Sequence, residues 1–167
     1  ILVSNAGNGT ISEVDPQHWF VRRNMRVGGN PEHMVLSKDG KSLYVNDHAG
    51  GRVLAVDLTT GSVAEDYEIG TAPHGIDLSP DGQTLYATSQ GDNRLVRISL
   101  EEGTRHAAEL APAPYHLAVS PTDGRVLVTS RDEPHLWIIA PDTLEVLQTV
   151  ELGGIGHQIS LGASPSR

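Results

Sequence analysis

Eight histidines and no cysteine in 167 residues leave imidazole as the nitrogen donor for any soft-metal chemistry. Four of them, His33, His74, His116 and His157, recur at one place in a repeating pattern. His33 and His116 share one register, His74 and His157 the register one residue earlier, and each pair is 83 residues apart. Neutral imidazole is the commonest protein ligand for zinc, copper and nickel. A histidine set without thiolate suits Cu(II), Zn(II) or Ni(II), with water in the open positions. Successive strand residues point to opposite faces, so the one-residue offset leaves two arrangements open. Four imidazoles ring one axis, or one pair faces inward and the other away. A structural role, capping a loop or bonding a carbonyl, is the competing reading.

Polar loops should lie on the same rim as these histidines. They supply Asp47, His48, Asp92, Asn93, Arg131 and Asp132 as ligand-binding candidates. Polar loops on a rigid scaffold are where binding usually concentrates. His48 beside Asp47 is the best further ligand or acid–base group, with His135 and Arg131 next. No serine keeps a fixed relation to a His–Asp pair, so no catalytic residue is assigned.

The elements that must position these groups follow from the repeat itself. Val27-Gly28, Ile69-Gly70, Leu110-Ala111 and Leu152-Gly153 end successive units at spacings of 42, 41 and 42 residues. Within a unit, apolar and polar residues alternate over short runs, as in half-buried strands. Ser37-Lys38-Asp39-Gly40 and Ser79-Pro80-Asp81-Gly82 mark tight turns. No stretch has helical periodicity. Four antiparallel strands every forty-odd residues is the size of a WD40-like propeller blade. The expected fold is therefore all-β, a single β-propeller domain over 1–167 with units 1–28, 29–70, 71–111 and 112–153. A β-sandwich is the alternative, but it has no reason to repeat a turn at a fixed period.

Residues 154–167 are expected to add a closing strand, His157 to Leu161, that completes a first blade otherwise left with three strands. That gives a four-bladed ring of 16 strands. The alternative is half of a larger ring, completed by a homodimer or by a longer parent chain. The chain opens on Ile1, which suggests a mature or excised segment.

A net charge of −9 repels a phosphate backbone, and no basic patch offsets it, so nucleic acid is not an expected partner. No apolar run approaches the roughly 20 residues of a membrane span.

Leu43-Tyr44-Val45-Asn46, Leu85-Tyr86-Ala87-Thr88 and Val53-Leu54-Ala55-Val56-Asp57 resemble the repeats of YVTN-type β-propellers. The resemblance implies a bacterial or archaeal exported protein, periplasmic or extracellular. It extends to surface-layer proteins, lactonase-like enzymes, and copper or haem propellers. Arg97-Ile98-Ser99 and Arg131-Asp132-Glu133-Pro134 depart from its pattern. Three functions follow in order. The first is a non-enzymatic propeller binding a protein or small molecule at its rim. The second is a metallopropeller using His33, His74, His116 and His157. The third is a lactonase-like hydrolase with a metal-activated water and His48 or Asp47 as general base.

Overall fold

Each repeat is pinned at its tight turn. In the computed structural model, which describes residues 1–162, Ser37 Oγ donates to Asp39 Oδ1 at 2.6 Å, and that oxygen accepts the Lys41 N–H at 3.0 Å. Ser79, Asp81 and Gln83 repeat both contacts at 2.5 and 2.9 Å. Gly40 and Gly82 close these turns at φ 70° and 77°, a conformation that glycine adopts at little steric cost. The aspartates expected to organise turns do so.

These turns join fifteen strands in four antiparallel meanders, with no helix among the described residues. The first sheet holds β1 (Leu2–Asn5), β2 (Thr10–Val14) and β3 (Val21–Arg26). The second holds β4 (Pro31–Leu36), β5 (Ser42–Asp47), β6 (Arg52–Asp57) and β7 (Ser62–Glu68). The third holds β8 (Pro73–Leu78), β9 (Thr84–Ser89), β10 (Arg94–Ser99) and β11 (Arg105–Glu109). The fourth holds β12 (Pro114–Val119), β13 (Val126–Ser130), β14 (His135–Ile139) and β15 (Val146–Glu151). The opening strands lie side by side, β1 next to β4, β4 next to β8, and β8 next to β12.

Packing between sheets explains the apolar runs. Leu43, Val45, Leu54 and Val56 pack with Ile11 and Met25 of the first sheet. Their neighbours Val53 and Ala55 face the other way, onto Ile76, Leu85 and Val96 of the third. Tyr86 and Leu95 then meet Leu117, Val128 and Trp137 of the fourth. A middle strand thus buries both faces, so Val53-Leu54-Ala55-Val56 reads as unbroken apolar sequence. Burying each such aliphatic side chain contributes about 1.5–3 kcal/mol. The last strand of each sheet faces water and carries the charges.

Two expectations need correction. The closing strand at His157 to Leu161 does not form: residues 154–162 are in no strand, and the first sheet ends at three strands. The outer edge of β1 is left unpaired, because this segment lies against the fourth sheet instead. Leu161 and Gly162 line a cavity there with Ser120, Leu127 and Ile138. Residues 163–167 lie outside the described part. With fifteen strands among the described residues, the expected ring of 16 is not formed; Trp19 is 73% exposed at φ 55° before β3, whereas Trp137 is buried.

Candidate metal centre

Each four-stranded sheet opens with a proline that starts its inner strand: Pro31, Pro73 and Pro114. Immediately after it the strand bulges. Pro31 pairs with Asp47 and Met34 with Val45, so β4 carries one residue more than β5 over this stretch. Pro73 to Ile76 and Pro114 to Leu117 repeat the irregularity. A bulge suspends the strict in–out alternation of a strand and re-aims side chains.

That is how the one-residue offset among the histidines is resolved. The residue after each proline is Glu32, His74 or Tyr115; the next is His33, Gly75 or His116. His33 and His116 belong to sheets that are not neighbours, yet their ring centroids are 4.5 Å apart. They meet across Gly75 of the intervening strand. A Cβ on Gly75 would lie 2.5 Å from Tyr115 O and 2.7 Å from Leu117 N, so no other residue fits while β8 and β12 stay this close. His74 joins from the preceding position, its centroid 4.4 Å from His33 and 4.7 Å from His116. The two Nε2 atoms of His74 and His116 are 3.3 Å apart.

The strands behind fix this cluster. Asn46 Nδ2 donates to His74 O, and Thr88 Oγ1 donates to Tyr115 O at 2.7 Å while accepting the Gly75 N–H at 2.8 Å. One residue further on, Asp47, Ser89 and Ser130 hold the entering loops. Asp47 Oδ1 accepts the Asn30 N–H at 2.8 Å, Ser89 Oγ donates to Thr71 O at 2.9 Å, and Ser130 Oγ donates to Pro112 O at 2.7 Å. The Tyr115 ring stacks on His74 at 3.8 Å and 9°, with the Arg131 guanidinium 4.8 Å from the tyrosine centroid.

Burial keeps these imidazoles neutral. It pushes His74 down to about 3 and His116 to about 4, helped in each case by the neighbouring histidines. His33 is also lowered by burial. The three nitrogen donors lie within 4.8 Å of one another, close enough to share one ion. His157 is exposed and sits at its edge, 4.9 Å from His116 and 5.5 Å from Tyr115 between centroids.

The rim residues have other partners. Asp47 is fully buried, accepts N–H groups from Asn30 and Gly50, and pairs with Arg52 at 3.4 Å. Asp92 accepts the Thr71 N–H at 2.7 Å, and Asn93 Oδ1 the Ala113 N–H at 2.7 Å. Asp132 is exposed and donates its N–H to Ser130 Oγ. His48, half-buried, approaches the cluster directly, its centroid 6.4 Å from that of His74, and Arg131 approaches it through Tyr115.

Solved structures match this arrangement of sheets. Hydrazine synthase from Kuenenia stuttgartiensis superposes with a TM-score of 0.83 at 22% identity, over 90% of this chain and 45% of that one. A Bacteroides fragilis protein provisionally assigned as a 6-phosphogluconolactonase gives 0.78 at 21%, over 90% and 51%. Virginiamycin B lyase from Staphylococcus aureus gives 0.77 at 16%, over 91% and 52%. The chain is built as a β-propeller. It spans about half the length of these structures, so its four sheets correspond to about half of a larger propeller. No family model and no curated protein matches the sequence.

Sequence reasoning found the propeller's histidines but missed Glu32, Gly75 and Tyr115. Aligning the repeats on Pro31, Pro73 and Pro114 exposes all three. These are the positions that differ while their surroundings repeat.

Proposed function

We propose that this propeller segment holds a divalent transition metal, Zn(II), Cu(II) or Ni(II), through His33, His74 and His116. His157 is the neighbouring fourth donor, and water or a small ligand takes the open positions. The observation that carries this is the meeting of three imidazoles from three successive sheets, His74 and His116 buried and His33 half-buried. Two nitrogens each about 2.0–2.1 Å from a tetrahedral ion lie about 3.3–3.4 Å apart. The two Nε2 atoms at 3.3 Å already have that spacing. Desolvated, neutral rings suit a cation and no anion. An ion held this way acts as a Lewis acid toward a bound water or carbonyl. The residues also support a YVTN-type repeat, since Asn46 and Thr88 of the signature strand tie down the next inner strand.

Metal-stripped protein titrated with Zn(II) against a chromophoric chelator tests the site. A tight first equivalent is expected, weakened more than about 100-fold in H116N, since even outer-sphere changes cost 10–100-fold. Equal affinity in wild type, H33N and H116N overturns it, provided all three melt cooperatively.

A hydrolytic reaction at such an ion is the second reading, favoured by the lactonase and lyase among the similar folds. Asp47 is occupied by Asn30, Gly50 and Arg52, which leaves His48 as the base. An ester and lactone screen with zinc-loaded protein tests this; turnover no higher than zinc alone rejects it.

A further inference from the structure

His74 has two faces, and both look at ligands. Its Nε2 faces His116 at 3.3 Å, while its Nδ1 faces the Glu32 carboxylate at 3.4 Å. Glu32 Oε2 also lies 3.8 Å from His48 Nδ1. Glu32, His48 and His74 thus form a second ligand set within 4.8 Å that shares one residue with the first. We propose that His74 bridges two metal ions, one among His33, His74 and His116 and a second held by Glu32, His48 and His74 Nδ1. The inference rests on the metal-binding reading above and adds the second ion to it.

Three observations favour a ligand role for Glu32 over that of a hydrogen-bond acceptor. A charge-assisted N–H···O⁻ contact closes to about 2.7–2.9 Å. The 3.4 Å separation from His74 Nδ1 is too long for that, and it matches the roughly 3.3–3.4 Å between two donors on one tetrahedral ion. Glu32 occupies the position after the opening proline, where the next sheets place His74 and Tyr115, so the same bulge aims it inward. His48 comes from a different element, the turn after β5, and its ring, held 3.2 Å from Pro73 O, brings a further nitrogen to 3.8 Å from that carboxylate.

The rest of the site is consistent. Glu32 and His48 are half-buried, so an ion reaches them from solvent while His74 closes the far side. Glutamate supplies the negative charge that the first set lacks. His48 Nδ1 lies 3.2 Å from Pro73 O; ligation through that nitrogen places the ring proton on Nε2 and replaces this contact with the ion. As the second ion binds, the remaining ring proton of His74 leaves to water, and each ring nitrogen donates its lone pair to one metal.

Copper(II) titration of the full chain, followed by metal content and electron paramagnetic resonance, tests the bridge. Two equivalents are expected, with the signal of the first attenuated by coupling as the second binds. E32Q and H48Q should each bind one equivalent with an uncoupled spectrum, leaving the His33–His116 site intact. A wild type that binds one equivalent, with E32Q altering only its affinity, overturns the bridge and makes Glu32 a positioning residue for His74. A wild type that binds none overturns the metal reading itself.

Discussion

The two rims of this molecule use the same strands to opposite ends. On the turn rim, Ser37-Asp39-Gly40 and Ser79-Asp81-Gly82 repeat one set of contacts, each closed within its own few residues. On the other rim, successive sheets present Glu32-His33, His74-Gly75 and Tyr115-His116, which satisfy little locally and meet one another instead. A residue that repeats is serving its own blade. A residue that varies where everything around it repeats is serving the assembly.

This contrast breaks first at Gly75. Gly75→Ala forces a methyl against Tyr115 O and Leu117 N, and is expected to destabilise the fold by about 3 kcal/mol in urea denaturation. Gly103→Ala, in an open turn at φ 67°, is expected to cost about 1 kcal/mol. Equal effects would mean that close approach of β8 to β12 is not what the glycine secures.

A smaller effect comes from pH. His74 and His116 have folded values near 3 and 4, below the ordinary 6.5 of an unfolded histidine. The unfolded chain therefore takes up protons first as pH falls. Their contribution is fully present above about pH 6.5 and is lost progressively toward pH 4. Thermal melts of metal-free protein should show Tm falling between pH 7.5 and 4.5, with a shallower fall in H116N. An unchanged slope would place the buried neutral state elsewhere.

The smallest effect belongs to the turn rim. Asp81→Ala removes the acceptor for Ser79 Oγ and the Gln83 N–H, and is expected to cost about 1 kcal/mol with Zn(II) affinity unchanged. A loss of metal binding there would join the two rims that the contacts keep apart.

The blades were legible because their causes are local. Alternation, turn glycines and a fixed period announce four-stranded antiparallel units, and β4 through β15 form three of them. The convergence of the histidines was half legible: their recurrence could be read, but the bulges after Pro31, Pro73 and Pro114 could not. Simple alternation predicts that offset residues face apart, and the bulge overrides it. The closing strand was misread because repeat homology supplies a strand-like sequence without bringing it to the unpaired edge of β1. At Asp47 the sequence shows a polar loop residue and not the burial of its carboxylate, which accepts the N–H groups of Asn30 and Gly50.

Gly75 also determines what the site is sensitive to. Because β8 contributes no side chain between His33 and His116, their separation is a span over two interfaces. Small rotations at the second–third and third–fourth packing surfaces would add along that span, while His74 is separated from each of the other two rings by one interface. The centre therefore works as a gauge of how the sheets are stacked. A substitution at Val53 or Trp137, deep in those two cores, would be read out as a change in the His33–His116 distance without touching either of those two rings.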